Sequence, residues 1–327
     1  MPEEKALWIL DQLAELKKRA GAVVFPMFYD EPTLHPGFRK IMKHQLEIGL
    51  IYDEWWFSTN GYGLARMPDS DWKELAEAGF DSIRLTFHGT GVSHDRLVRR
   101  TGAYEDLVKT IRKAEEHNVS WLAGMMLSAE NQSMYEKTRD AVENLGTPCV
   151  DFGWMLPHSQ GRALLGGNRV RAGQISRLLG GNQGWVTESE FVARILSDPE
   201  MGARSARSND CGMVYLDIDD GLNVYYGGGC DGDPFGFMKK QVLLGNLERM
   251  SACACYDKYL NHPPEPVSIL EGITWAELAR KYGNTDNDEV FHFTSLIGSK
   301  WSEQYLREFY GSRGRSSASD RSMAQSH

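Results

Sequence analysis

Five cysteines stand in the chain, at 149, 211, 230, 253 and 255. Cys211, Cys230, Cys253 and Cys255 are the number of thiolates that one zinc ion or one iron–sulfur cluster takes. Their spacing is awkward. On a helix, positions two apart face about 200° away from each other, so Cys253 and Cys255 reach one ion only if the helix unwinds. The competing reading is reduced cysteines packed as small hydrophobes, and Cys149, opening an apolar run, reads as core. His35, His88 and His94 fall on loops, where an imidazole titrating near neutrality is suited to proton transfer and equally to stabilising a turn. Asp217 and Asp219 alternate with Leu216 and Ile218, which describes a solvated strand face. The segment lacks the D-x-[DN]-x-[DN]-G frame of a calcium loop. The glycines at 180–181 and 227–229 lack the ending of a phosphate loop, and no G-x-S-x-G elbow is present.

The elements that must position these groups alternate through the first half. Leu7, Leu10, Leu13 and Leu16 form a helical stripe in residues 3–19. An apolar run at 22–29 reads as a strand, followed by a helix over 37–48 and a strand over 54–58. A helix over 69–78, capped by Asp69 or Ser70, precedes the strand 82–87. The helix 104–117, the strand 119–127, the helix 133–144 and the strand 149–156 complete the pattern. Such alternation predicts an α/β fold of parallel strands with crossover helices. After Gly161 the rhythm breaks. A helix over 188–196, a hairpin turning at Asp220-Gly221, a helix over 245–260, a Pro-rich joint and two further helices follow. The last seventeen residues are polar and low in complexity, an expected disordered tail.

The strand-end loops carry a resemblance. Strand one ends in Tyr29-Asp30-Glu31-Pro32-Thr33-Leu34-His35-Pro36 and strand two in Ser58-Thr59-Asn60-Gly61. Strand three ends in Leu85-Thr86-Phe87-His88-Gly89, with His94-Asp95 after it. This resembles the core of the radical S-adenosylmethionine enzymes, whose strands end in G-G-E-P-L-L-H-P, T-N-G and S-L-D-G with a following H-D. Gly124-Met125-Met126-Leu127 through Asn131 is similar to the family's fifth strand and its asparagine. His158 to Ala163 is similar to the G-R-A after the sixth. The resemblance implies a partial (β/α) barrel holding S-adenosylmethionine beside a 4Fe–4S cluster at the strand ends. It implies that Tyr29, Asp30 and Glu31 sit where the family's backbone holds the methionine amino group. Thr59 and Asn60 stand on the neighbouring loop, Thr86 replaces the serine near ribose and carboxylate, and Asn131 faces the ligand from the fifth strand.

Two departures stand out. The family's C-x3-C-x2-C loop, whose thiolates bind three irons, has no counterpart, because no cysteine precedes Cys149. Tyr29-Asp30 also replaces the double glycine. Either the chain starts downstream of the loop of a longer enzyme, or it is a member without a cluster. Beyond residue 210 the chain resembles the family's SPASM or twitch region, C-x(9–15)-G-x4-C. Cys211 precedes Gly221 at the right interval, but Tyr226 occupies the next cysteine's place, and Leu244-Gly245-Asn246-Leu247 matches an L-G-N-L element.

The expected organisation is a barrel-like domain over 1–170, a linker and auxiliary region over 171–262, helices over 263–310 and a tail over 311–327. The chain has 327 residues, 41% hydrophobic and 25% charged, and a net charge of −9. That charge is the wrong sign for a protein whose affinity comes from neutralising phosphates, so nucleic acid is not an expected partner. No run suits a membrane span or a signal peptide, which predicts a cytoplasmic location. The expected function is modification of a peptide or small molecule. The alternative is a non-catalytic relative that binds a peptide, a nucleoside or a partner protein.

Overall fold

The structure, a computed structural model, describes residues 1–24, 26, 31–51, 57–148, 152–156, 168–179, 184–207, 214–227 and 234–312; of residues 176, 177, 179 and 299 it describes only the backbone. It divides into two compact units. Unit 1 is 1–156 with 251–256, and unit 2 is 157–250 with 257–327.

Unit 1 opens with helix α1 (Glu3–Ala20), whose stripe buries Ile9, Leu10, Leu13 and Leu16 and which stops at Gly21 with φ 62°. Next come α2 (Phe38–Glu47), β1 (Phe57–Thr59), α3 (Tyr62–Arg66), α4 (Asp69–Glu77) and β2 (Ser82–Phe87). After them come α5 (Gly91–Leu97), α6 (Ala103–Glu116), β3 (Ser120–Met126), α7 (Tyr135–Glu143) and β4 (Gly153–Met155). The four strands pair in parallel in the order β1-β2-β3-β4. The expected strand at 22–29 falls largely outside the described residues. No side chain caps α4, because Pro68 holds the cap position and the Asp69 carboxylate is taken by Lys113 at 2.6 Å.

Crossovers between parallel strands are almost always right-handed. A strand order that always steps the same way therefore places every helix on one face of the sheet, as in part of a barrel, rather than alternating faces as in a doubly wound sheet. The strand patterns follow from this. Phe57, Ile83 and Trp121 share one register row, and Leu85 and Ala123 another. All five are buried under the helices, with Trp72 of α4 and Leu107 and Ile111 of α6 fully enclosed. Each such large apolar side chain contributes roughly 1.5–3 kcal/mol of burial. The opposite, inward face carries Ser58, Arg84, Thr86, Leu122, Gly124, Met126, Gly153 and Met155. Among the described residues the sheet does not close into a barrel.

Unit 2 contains an antiparallel pair, β5 (Trp185–Thr187) with β9 (Val290–His292), and a three-stranded sheet, β6 (Leu216–Ile218), β7 (Asn223–Tyr226) and β8 (Leu243–Asn246). The hairpin expected at Asp220-Gly221 is β6–β7. The helix expected over 245–260 starts only at Ala252; its first two expected residues, Gly245 and Asn246, instead end the strand β8. The core of this unit joins Phe191, Trp275 and Trp301. At its centre lies Glu188, fully buried, accepting from Trp301 Nε1 at 2.9 Å, Asn287 Nδ2 at 2.8 Å and Lys300 Nζ.

Candidate functional site at the strand ends of unit 1

Parallel α/β sheets present their chemistry at the C-terminal ends of the strands, where side chains leave the sheet and loops meet. In unit 1 those ends are held by two polar clamps. The first is Glu31, at the cap of a short 3-10 turn. Its carboxylate accepts from Thr59 Oγ1 at 2.7 Å, from the Asn60 N–H at 2.6 Å, and from the hydroxyl and N–H of Thr33. Thr59, almost fully buried, in turn accepts from the Gly61 N–H at 3.0 Å. Asn60 Oδ1 accepts from the Tyr62 N–H at 2.9 Å, which starts α3. Gly61 adopts φ 77°, and a Cβ there would crowd Leu107 and Thr110 of α6 at 3.1 Å.

The second clamp is Asn131, essentially inaccessible to solvent. Its Nδ2 donates to the carbonyls of Met126 (2.9 Å) and His88 (3.0 Å), and its Oδ1 accepts from the N–H and hydroxyl of Ser128. Every hydrogen-bonding capacity of the amide is engaged, joining the end of β3 to the end of β2.

Between the clamps, the residues of β2 remain available. The Thr86 hydroxyl makes no side-chain hydrogen bond among the described residues, and the same is true of the His88 ring. Burial pushes the His88 imidazole below its ordinary pKa, favouring the neutral ring. His94, packed among Phe87, His88 and Tyr104, is pushed down to about 4 by burial and then by the neighbouring His88. Its Nδ1 accepts from the His88 N–H at 3.1 Å, which assigns the ring proton to Nε2. His94 thus holds the loop, and Asp95 holds the next one. Burial works against the Asp95 charge, yet N–H groups of Tyr104 and Gly102, at 2.9 and 2.6 Å, keep the carboxyl below its usual range. Arg84 and Thr86 follow at alternate positions on the inward face, so the mouth offers a guanidinium and a hydroxyl in line, while the His88 ring packs against His94 of α5.

Tyr29 and Asp30 lie outside the described residues, as do Cys211 and Cys230. Cys253 and Cys255 are free thiols on one helix, Cys255 fully buried and Cys253 half-buried. Among the described residues no group of three or more His, Cys, Asp or Glu side chains could hold a metal ion. At the place where the resemblance expects a cysteine, Tyr226 stacks on Tyr259 with ring centroids 4.2 Å apart, and Arg207 lies over its ring. Arg207 Nε donates to the Tyr226 hydroxyl at 3.1 Å. An aromatic–cation contact therefore occupies this part of unit 2. A separate cavity of about 110 Å³ in unit 2 is lined by Phe191, Trp275 and Phe293 with Arg194 and Arg204 at its wall.

The Radical SAM superfamily model matches residues 7–142, the stretch that holds both clamps. Over that stretch the chain is similar to the radical SAM superfamily. No curated protein matches the sequence. Among solved structures, "Native anSMEcpe with bound AdoMet and Cp18Cys peptide" aligns over 95% of this chain and 90% of that chain, at 14% identity and a TM-score of 0.48. "Native anSMEcpe with bound AdoMet" aligns over 93% of this chain and 87% of that chain, at 13% identity and a TM-score of 0.47. Among the described residues, no helix is long and apolar enough to cross a membrane. The superfamily's 4Fe–4S cluster needs three converging thiolates. The two described cysteines, Cys253 and Cys255, do not supply them. A nucleoside bearing an amino acid is a different case, since it needs hydrogen-bonding partners rather than thiolates, and the Thr86 hydroxyl stands unengaged among the described residues at the end of β2.

Proposed function

We propose that unit 1 binds S-adenosylmethionine at the C-terminal mouth of its parallel sheet and that the protein serves the modification of a peptide or small molecule. The observation that carries this reading is the placement of Thr86. Its unengaged hydroxyl stands at the end of β2, between loops that Glu31 and Asn131 tie to neighbouring strands. Loops fixed before a ligand arrives lower the ordering cost of binding it. Glu31 and Asn131 then act on the ligand through the backbone they position, while Thr86 and the backbone of the Thr59-Asn60 loop would face it.

A second reading has its own support. Both Glu31 and Asn131 direct their side chains to protein groups, as a mouth adapted to another nucleoside, a peptide or a partner protein would allow. Equilibrium dialysis with labelled S-adenosylmethionine separates the two. Saturable binding that Thr86→Val weakens by about tenfold supports the first reading, and absence of binding refutes it. Anaerobic incubation with iron, sulfide and a reductant, followed by assay for 5′-deoxyadenosine, tests the chemistry. Binding without cleavage leaves a ligand-binding protein and removes the modification step.

A further inference from the structure

We propose that Arg84 is an anion-binding residue that receives the carboxylate of an apolar-tailed ligand laid across the inward face of β2, β3 and β4. The inference concerns the same mouth as the reading above but does not rest on S-adenosylmethionine being the ligand.

Arg84 sits in the middle of β2, half-buried, on the face away from the helices. Its Nε is buried with no hydrogen-bond partner, and the only group that its guanidinium reaches among the described residues is the Met155 sulfur, 3.9 Å from Nη2. A thioether is a weak acceptor and carries no charge. Desolvating a cation without pairing it is unfavourable, which is why buried charges are paired or coordinated. An arginine needed only for packing would have been better served by methionine or leucine, which surround it here. Its planar fork instead matches a carboxylate through two parallel hydrogen bonds.

The neighbouring rows say what the rest of the ligand is. Arg84 is in register with Leu122, and Thr86 with Gly124, which is in register with Gly153. A Cβ built on Gly153 would meet nothing within 4 Å. The Thr86–Gly124–Gly153 row thus carries two strand glycines, open above Gly153 and walled at Gly124, where a Cβ would meet the Met155 methyl at 3.7 Å; such glycines admit a ligand close to the main chain. Met126 and Met155, half-buried in the next row, give that strip adaptable apolar walls. A charged head at Arg84 and an aliphatic body along the glycines fit this surface.

The test uses the full chain with hexanoate as probe, hexanamide as its uncharged counterpart, and chloride at matched ionic strength. Hexanoate is expected to raise the unfolding temperature saturably where hexanamide and chloride do not. Arg84→Met is expected to weaken hexanoate binding by about tenfold or more, with Arg84→Lys between the two. Without ligand, Arg84→Met is expected to unfold at or above the wild-type temperature, because it removes an unpaired, desolvated charge. Three results would each overturn the proposal: an Arg84→Met protein that melts several degrees lower, equal hexanoate binding by both proteins, or no hexanoate binding by the wild type.

Discussion

Replacing Glu31 by alanine or glutamine tests whether that carboxylate is a clamp or a ligand-binding group. Alanine removes the acceptor for Thr59 Oγ1, the Asn60 N–H and Thr33. Net contributions of about 1 kcal/mol per neutral donor, and somewhat more where the acceptor is charged, give a loss of about 2–3 kcal/mol once water replaces part of the half-exposed set. In a unit of about 160 residues each kcal/mol moves the melting temperature by roughly 2–4 °C, so the expected fall is about 5–10 °C. Glutamine keeps the shape but turns one acceptor into a donor facing the Asn60 N–H or the Thr59 hydroxyl, so it should not rescue. Differential scanning calorimetry on the single variants, and on Glu31→Ala with Thr59→Val, measures the coupling, expected near 1 kcal/mol. The clamp reading fails if Glu31→Gln melts with the wild type and the coupling vanishes. It fails more tellingly if the melting temperature holds while S-adenosylmethionine binding collapses.

Three further outcomes follow from the same geometry. His94 is neutral in the folded state down to about pH 4, whereas an unfolded histidine titrates near 6.5. The unfolded chain therefore binds more protons in that window, and stability falls as pH drops from 6.5 to 4, by about 3 kcal/mol at most. Urea midpoints across that range should show a shallower slope for His94→Gln. Gly61→Ala forces a side chain into the left-handed region and against Leu107 and Thr110, costing about 1–3 kcal/mol in urea unfolding. Glu188→Ala strands Lys300 and the Trp301 indole N–H in the core of unit 2, and its denaturation should show a loss of about 3–5 kcal/mol.

Much of unit 1 was legible in the sequence because burial there follows simple periods. The strand at 82–87 and the helices α2 and α6 appear within a residue of their expected ends, since buried positions recur every second or every third to fourth residue. The hairpin at Asp220-Gly221 was legible from turn chemistry. The strand β8 was not. Leu243 to Asn246 is too short to show a period, and its apolar residues run into a helical pattern, so only pairing with β7 selects the extended form. The sheet of β5 and β9 joins segments about a hundred residues apart, a pairing that no local pattern carries.

The candidate site divides along a different line. Glu31, Thr59, Asn60 and Asn131 were recognisable because motif residues sit at strand ends, and strand ends are where a parallel sheet leaves backbone groups unpaired. Short polar side chains are the economical way to satisfy those groups, so a family's strand-end motif records first how the mouth is held together. Glu31 and Asn131 show this directly, with their hydrogen-bonding capacity turned toward protein. Arg84 is the opposite case. An arginine alternating with apolar residues in a strand reads, from sequence, as a solvated face. Only the one-directional strand order turns that face inward and shows a guanidinium with no carboxylate beside it among the described residues. Residues that a motif scan finds are thus those the architecture requires. The residue most open to a ligand here was hidden because its meaning depends on which side of the sheet the helices cover.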